Sequence, residues 1–267
     1  MLRRRSVLLA PLALLAACSS GDDTSERPAL VVLVTVDQLR GDLIDRYAPA
    51  FDGGFRRLLD EGLLYTAASH NHSSTSTAIG HTTLGTGRHP VNHGITGNSW
   101  TERDPDGSLR GVYGVEDLDS PILDYPSSEG RSPKNIRVDG LGDWIVAADP
   151  EARVLSVSTK DRGAITTAGQ SADHHVYWWM PSDGRYVTST YYEDTYPDWL
   201  QRFNRERVPE LIADSIWEHT VPEELRDLAR RDEFVHEADQ MNTTFVHRRS
   251  DEVITDALAA ELNWWRA

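Results

Sequence analysis

Three short apolar runs along the chain have the composition of buried strands. Residues 30–36 form an unbroken, mostly β-branched run, residues 63–67 form a second, and residues 153–158 a third. The continuous hydrophobicity of residues 30–36 is typical of parallel strands that are covered on both faces. Polar residues follow each run, and the carboxyl ends of parallel strands share one edge of a sheet, where ligands bind in open α/β folds. We therefore predict a parallel sheet with a polar site along that edge.

Helical spacing of apolar residues occurs in several other segments of the chain. Residues 43–59 have this spacing, with an interruption at 49–54, and residues 141–148 predict a short helix. The hydroxyl-rich stretch 73–87 indicates the start of another helix. Residues 208–260 are acidic and amphipathic and predict further helix.

These elements predict an α/β fold in which helices sandwich a mostly parallel sheet. A chain of 267 residues is long enough for one large domain or two small ones. We assign residues 30–267 to the folded region. The polar, turn-rich segment at about 99–137 and the aromatic-rich start of the segment at about 170–250 indicate inserted cap segments.

The first residues have the features of a bacterial lipoprotein leader. A basic start, Arg3 to Arg5, precedes an apolar stretch that is too short to span a bilayer, and small residues precede Cys18. We predict a signal peptide at 1–17, a lipidated Cys18 that anchors the protein to a membrane, and a tether at 18–29. Ser19 resembles the residue that sorts lipoproteins to an outer membrane. An exported lipoprotein in the periplasm or outer membrane of a Gram-negative-type bacterium is therefore expected.

Charge and cysteine content narrow the functional classes. The formal net charge is -15, which disfavours binding to the phosphate backbone of nucleic acids, so no nucleic-acid partner is expected. Cys18 is the single cysteine, so the folded region has no internal disulfide. The chain has no P-loop and no G-x-S-x-G elbow.

Five polar residues are candidates for chemistry. Asp37 follows the first strand run, Thr77 lies in the hydroxyl stretch, Asn98 lies in a glycine-rich loop, and Lys160 and Arg162 follow the third strand run. A hydroxyl at a helix N-terminus can cap the backbone or attack a phosphoryl group bound there. Asp37 is either a helix cap or a metal ligand by its position, and Lys160 and Arg162 suit a phosphate dianion.

Histidines give weaker signals. His81 follows Thr77 by one helical turn and either assists it or packs against the helix. His174 and His175 look like a metal motif, but adjacent side chains point in different directions, which disfavours a shared ion. A divalent metal is the alternative way to activate a threonine hydroxyl.

The motifs together resemble the alkaline phosphatase superfamily, in its type I phosphodiesterase/nucleotide pyrophosphatase branch. The motifs that carry the resemblance are residues 34–40, 77–81, 86–87, 93–95 and 97–100. Residues 159–165 and 188–192 are most similar to the phosphate-irrepressible alkaline phosphatases, which use a threonine nucleophile on phosphate monoesters. The resemblance extends from about residue 30 to the end of the chain, and implies an incomplete alkaline-phosphatase-like fold.

The resemblance implies a role for each candidate residue. Thr77 is implied as the nucleophile and as a ligand of one zinc ion, and Asp37 as a second ligand of that ion. Asn98 is implied to contact a phosphate oxygen, while Lys160 and Arg162 recognise the extra charge of a monoester. The family uses two zinc ions, roughly 4 Å apart, to stabilise the attacking and leaving oxygens. The implied partner is a small-molecule phosphate ester.

One departure from the family pattern limits the expected activity. The family has further zinc ligands in its second half, an Asp-x-x-x-His motif, an Asp-His pair and a distant His, and these have no counterpart here. We therefore expect a zinc-dependent phosphatase chain that is weakly active or inactive alone. The alternatives are a phosphodiesterase/nucleotide pyrophosphatase of the same fold and a non-catalytic, lipid-anchored binding protein.

Overall fold

The computed structural model describes residues 28–125, 130–213, 216–217, 220–233, 244 and 247–248. The chain divides into two units, Met1–Val34 and Thr35–Ala267. In the first unit the described residues, 28–34, contain no helix or strand. The predicted signal peptide and Cys18 lie outside the described residues.

Two of the three predicted strands are absent from the described part of the chain. Residues 30–36 and 63–67 form no strand, and Val32, Leu63 and Tyr65 are 69%, 80% and 74% exposed. Both strand predictions are wrong for this structure. A strand exists only where a neighbour supplies hydrogen-bond partners, and no described residue pairs with either segment.

The predicted interrupted helix is confirmed as two helices. Helix α1 spans Gly41–Tyr47, a 3-10 turn follows at Ala48–Ala50, and α2 spans Gly53–Glu61. Pro49 lies in the turn, where its missing N–H and fixed φ interrupt a continuous helix. Arg56–Asp60 and Arg57–Glu61 ion pairs lie along the exposed surface of α2.

The hydroxyl stretch forms α3, Thr77–Thr86, as predicted. It ends at Gly87, which has a left-handed φ of 59°, and the short α4, Pro90–His93, follows. A hairpin comes next, with β1 at Ser99–Arg103 and β2 at Leu109–Tyr113, and Ser99 pairs with Tyr113. Helix α5, Leu141–Ala148, is confirmed at its predicted position.

One three-stranded sheet carries the predicted site edge. Strand β3, Leu155–Ser158, pairs in parallel with β4, His175–Met180, which pairs antiparallel with β5, Arg185–Val187. Helix α6, Asp161–Ala168, connects β3 to β4 and packs on both. The aromatic-rich segment therefore supplies two strands of the sheet.

The main core lies between α6 and the sheet. It contains buried side chains from α6, β4 and β5, namely Ala164, Ile165, Ala168, Val176, Trp178 and Val187, together with Val115, Ile122 and Tyr192. Helix α3 packs directly against α6. A Cβ atom at Gly85 would lie 3.0 Å from the carbonyl oxygen of Thr166, so the two helices approach closely at this glycine.

The C-terminal segment is less helical than predicted. Helix α7 spans Asp198–Arg202, a π-helical turn follows at Phe203–Arg207, and α8 spans Val208–Ala213. Beyond α8, β6 at Ile216–Trp217 pairs with β7 at His247–Arg248, and a 3-10 helix spans Glu223–Leu228. The prediction of helix throughout 208–260 is wrong where these short strands occur, because an amphipathic pattern is also satisfied by shorter elements. Of the helices in the described ranges, each is too short or too polar to span a bilayer.

Candidate active site

Thr77 and Asp37 are in direct contact. Thr77 is the first residue of α3, and its Oγ1 donates a 3.0 Å hydrogen bond to Asp37 Oδ2. Asp37 lies in a turn with Gln38, whose φ of 63° is left-handed. This turn, rather than a strand end, presents the carboxylate to the hydroxyl.

The N-terminus of α3 is capped by a residue from a distant loop. Ser76 occupies the N-cap position but makes no side-chain capping bond. Instead, Asn98 Oδ1 accepts a 2.9 Å hydrogen bond from the backbone N–H of Ala78. Because Oδ1 is engaged, the Nδ2 donor of Asn98 is the group left for an anion.

Lys160 and Arg162 lie at the N-terminus of α6, where backbone N–H groups also favour anions. Lys160 is the N-cap residue, and its Nζ lies 3.6 Å from Asp37 Oδ2. The Asp37 carboxylate thus joins the helices that carry Thr77 and Lys160. Both side chains of the pair remain partly exposed, at 40% for Lys160 and 30% for Asp37.

Arg162 is held by residues that the sequence analysis did not identify. Its Nη1 donates a 3.0 Å hydrogen bond to the hydroxyl oxygen of Tyr113, and that hydroxyl donates a 2.6 Å hydrogen bond to Asp161 Oδ1. Arg131 Nε donates a 2.6 Å hydrogen bond to Asp161 Oδ2. Burial, followed by the charge of Asp161, raises the pKa of Tyr113 to about 12, so its hydroxyl stays protonated. Tyr113 and Arg131 gave no motif signal, because their partners are far away in the chain.

His81 packs beside the site. It is 8% exposed, and its Nδ1 lies 2.9 Å from the carbonyl oxygen of Thr77. Burial is the main cause that lowers the pKa of His81, and the charges of Lys160 and Arg162 lower it further while Asp37 raises it. The charges of Asp37, Lys160 and Arg162 therefore all act on the environment of His81. Because its ring contacts the backbone of Thr77, His81 supports the first turn of α3.

The described residues do not fit a complete zinc site. Asp37 and Thr77 supply two oxygen donors, whereas catalytic zinc is usually held by three protein ligands. Within the described ranges, no group of three His, Cys, Asp or Glu side chains is placed to hold a metal ion. His174 Nε2 lies 3.0 Å from Asp143, and His175 Nδ1 lies 2.9 Å from Glu193, so these neighbours have different partners.

Comparison with known proteins identifies relatives that match most of the chain. The chain is 38% identical over 202 residues to alkaline phosphatase PhoV of Synechococcus elongatus, which covers 74% of this chain and 36% of that relative. A crystal structure of alkaline phosphatase PafA superposes with a TM-score of 0.70 at 30% identity, covering 79% of this chain and 41% of PafA. This chain therefore spans about a third of the length of the curated relatives it matches.

A second PafA structure, at 29% identity and a TM-score of 0.70, carries substitutions of one threonine, one asparagine, one lysine and one arginine. The PafA similarity agrees with the predicted, incomplete alkaline-phosphatase-like α/β fold. The sequence matches the type I phosphodiesterase / nucleotide pyrophosphatase family over residues 31–260. The chain belongs to this family, and its likeness to the alkaline phosphatases within it is shown by sequence and by fold.

Proposed function

We propose that this chain carries the nucleophile and the phosphate-binding groups of an alkaline phosphatase that acts on phosphate monoesters. The observation that carries the proposal is the contact of Asp37 with both Thr77 and Lys160. This contact brings together the Thr77 hydroxyl at a helix N-terminus, the Asp37 carboxylate that can accept its proton, and the Lys160 cation that can bind the phosphate. The PafA substitutions support it, because Thr77, Asn98, Lys160 and Arg162 repeat their residue types, order and spacing along the chain.

The proposed reaction has two displacements at phosphorus. Thr77 Oγ1 attacks the phosphorus atom, the bond to the ester oxygen breaks, and a phosphothreonine forms. Asp37 Oδ2 accepts the hydroxyl proton along the existing hydrogen bond and passes it through solvent to the departing ester oxygen, which leaves as an alcohol. Water then attacks the phosphothreonine and gives one proton to Thr77 Oγ1 as the bond between that oxygen and phosphorus breaks, and inorganic phosphate leaves as the dianion HPO4²⁻. Arg162, Lys160 and the Asn98 amide hold the non-bridging oxygens throughout.

The proposal includes zinc only as an ion that Asp37 and Thr77 would help to hold. Asp37 and Thr77 are too few donors to hold zinc tightly, and no step above is assigned to the ion. We therefore propose that the 267-residue chain binds phosphate but turns over slowly or not at all. Ordinary enzymatic rates of p-nitrophenyl phosphate hydrolysis by the purified chain with added zinc would contradict this limit.

A phosphate-binding measurement tests the core of the proposal. Isothermal titration calorimetry with inorganic phosphate is expected to detect one site in the unsubstituted chain. Lys160→Ala and Arg162→Ala should each weaken it about tenfold or more, because each removes a charge-assisted contact. Arg226→Ala, on the 3-10 helix at Glu223–Leu228, is the matched control and should not change the affinity. No binding by the unsubstituted chain would overturn the proposal.

The family description favours one alternative, a phosphodiesterase or nucleotide pyrophosphatase. Phenyl phosphate is a dianion above its second pKa, whereas diphenyl phosphate is a monoanion. The positive charges of Lys160 and Arg162 exceed the negative charge of the Asp37 carboxylate, so the site favours the dianion. Tighter binding of phenyl phosphate, abolished by Lys160→Ala, supports the monoesterase; equal binding of the two esters supports the diesterase. A non-catalytic binding protein, the third candidate, would bind phosphate without forming any phosphothreonine.

Export and membrane attachment are also proposed. The basic, apolar and small-residue segments before Cys18 support processing and lipidation at that cysteine. Bacteria that express the full chain and are labelled with radioactive palmitate should yield a labelled protein in the membrane fraction. Cys18→Ala should abolish the label, and a labelled Cys18→Ala protein would contradict the proposal.

A further inference from the structure

We infer that Tyr113 is a positioning residue that holds the Arg162 guanidinium toward the phosphate site, an inference that rests on the proposed function. The Tyr113 hydroxyl accepts from Arg162 Nη1 at 3.0 Å and donates to Asp161 Oδ1 at 2.6 Å. The backbone N–H of Arg162 donates to the same carboxylate oxygen at 2.7 Å. Both ends of the arginine are therefore tied to Asp161, the side chain through Tyr113 and the backbone directly.

The charges around Asp161 leave the charge of Arg162 available. Arg131 Nε binds Asp161 Oδ2 at 2.6 Å, and the two side chains are 15% and 14% exposed. Arg162 Nη1 lies 3.8 Å from Asp161 Oδ1, beyond hydrogen-bonding distance. Asp161 is thus neutralised mainly by Arg131. A hydroxyl, which carries no charge, fixes Arg162 without cancelling its attraction for a phosphate oxygen.

The Arg162 guanidinium has one donor without a partner in the described part of the chain. Arg162 Nε is buried and has no hydrogen-bond partner among the described residues. The Arg162 side chain as a whole is 21% exposed, so part of the fork remains accessible. A buried donor without a partner is costly. An anion oxygen is a suitable acceptor for the accessible part of the fork. The geometry is that of an arginine arranged for a ligand rather than for a protein ion pair.

The hairpin links this arginine to Asn98. Tyr113 ends β2 and pairs with Ser99, the residue after Asn98. The Gly114 N–H donates a 2.8 Å hydrogen bond to the Asn98 carbonyl oxygen. Arg131 also stacks over the Tyr113 ring, with its Cζ 4.9 Å from the ring centroid. One end of the hairpin therefore sets the positions of both an amide and a guanidinium that the proposed function assigns to phosphate.

Tyr113→Phe tests this role because it keeps the ring and removes only the hydroxyl. We expect the affinity for inorganic phosphate to fall about three- to tenfold, the cost of ordering one long side chain during binding. In the Arg162→Ala background the same substitution should have no further effect, because the group that it positions is gone.

Tyr125→Phe is the matched control. The Tyr125 hydroxyl also accepts from an arginine, Arg185, at 3.0 Å and donates to an aspartate, Asp183. Arg185 of that triad is in β5, which forms the opposite edge of the sheet from β3. Loss of the Tyr125 hydroxyl should leave phosphate affinity unchanged while removing hydrogen bonds of the same kind, from an arginine and to an aspartate.

The NMR signals of the Arg162 guanidinium provide a readout that a merely structural role does not move. They are assigned by their disappearance in Arg162→Ala. Hindered rotation about Nε–Cζ is expected in the unsubstituted chain without phosphate, and free rotation in Tyr113→Phe with an unchanged thermal midpoint.

The outcomes separate the two ideas. If Tyr113→Phe binds phosphate like the unsubstituted chain, or if Arg162 rotation is unchanged, the positioning role is wrong while the proposed function stands. If the unsubstituted chain binds no phosphate, the proposed function is wrong, and this inference is overturned with it.

Discussion

The Thr77 hydroxyl donates a 3.0 Å hydrogen bond to Asp37 Oδ2, although 40 residues separate the two. The same oxygen lies 3.6 Å from Lys160 Nζ. One carboxylate oxygen thus contacts the candidate nucleophile and a candidate phosphate ligand. Asp37 orients the hydroxyl, and in the proposed function a bound phosphate would take Lys160 as its own partner.

Asp37 should dominate whatever divalent metal affinity the chain has. We expect Asp37→Asn to lower the affinity for zinc about tenfold or more, because an amide oxygen is a much poorer ligand than a carboxylate. Asp45→Asn on α1 removes an exposed carboxylate of the same charge and serves as the control. Zinc titration by calorimetry measures both. Equal losses in the two variants would show that zinc binds by general charge and not at Asp37.

Asn98 should have separable roles in stability and in anion binding. Asn98→Ala removes the acceptor for Ala78 N–H and should lower the free energy of unfolding by about 1 kcal/mol. Asn98→Asp keeps the acceptor and adds a negative charge at a helix N-terminus, so stability should be retained.

Phosphate binding should show the opposite order for these two variants. The carboxylate that replaces the amide in Asn98→Asp repels the dianion, so this variant should bind phosphate more weakly than Asn98→Ala. Urea unfolding and phosphate titration give the two measurements. Phosphate binding by Asn98→Asp at the unsubstituted level would refute the donor role of Nδ2.

Gly85 should set the distance between α3 and α6. Gly85→Ala places a Cβ atom 3.0 Å from the Thr166 carbonyl oxygen and 3.2 Å from Thr167 backbone atoms. The two helices must move apart to accommodate this Cβ atom, which should cost about 1–3 kcal/mol of stability. The movement should also weaken phosphate binding, because Lys160 and Arg162 lie at the N-terminus of α6.

Gly80→Ala is the control on the same helix. Its Cβ atom would meet only the Thr75 carbonyl oxygen, at 3.9 Å. Replacing glycine inside a helix by alanine should raise stability by up to about 1 kcal/mol. Thermal unfolding of the two variants should therefore shift in opposite directions, and a destabilised Gly80→Ala with a neutral Gly85→Ala would contradict the close-approach argument.

Local signals explain which elements can be predicted from the sequence. Helix α3 ends before Gly87, a boundary that the adjacent glycine encodes, whereas its N-terminus at Thr77 is capped by Asn98 from a distant loop. The apolar run at 153–158 predicts a strand, and β3 is observed at Leu155–Ser158, next to a partner strand in the same chain. Residues 30–36 have an equally strong strand pattern and no described partner, and the pattern itself contains no information about the partner.

The site residues also divide into those that a sequence motif indicates and those that only the structure identifies. Asp37, Thr77, Asn98, Lys160 and Arg162 are candidates because each stands in a recognisable motif, and the structure brings Asp37, Thr77 and Lys160 into contact. Tyr113 and Arg131 stand in no motif and lie 48 and 30 residues from Asp161. Contacts of this kind follow from the hairpin and from the packing of α6, so they become visible only in three dimensions.

His93 should make the stability of the chain depend on pH. It is fully buried, its Nδ1 accepts from the Ile95 N–H at 3.1 Å, and its Nε2 lies 3.2 Å from Thr83 Oγ1. Burial, with smaller effects from His72 and His89, lowers the pKa of His93 to about 4. In the unfolded chain the pKa returns to about 6.5, so the unfolded state binds more protons between these values.

Low pH should destabilise the chain through protonation of His93 in the unfolded state. The contribution of His93 to the free energy of unfolding is fully present above about pH 6.5 and decreases as the pH falls. Below about pH 4 this contribution, up to about 3 kcal/mol, is lost completely. His93→Asn keeps an acceptor for Ile95 N–H but does not titrate. The difference in free energy of unfolding between this variant and the unsubstituted chain, measured by urea denaturation from about pH 4.5 to about pH 7.5, cancels the contributions of the carboxylates. That difference should shrink as the pH falls, because only the unsubstituted chain loses the His93 contribution, and a pH-independent difference would mean that His93 is protonated equally in both states.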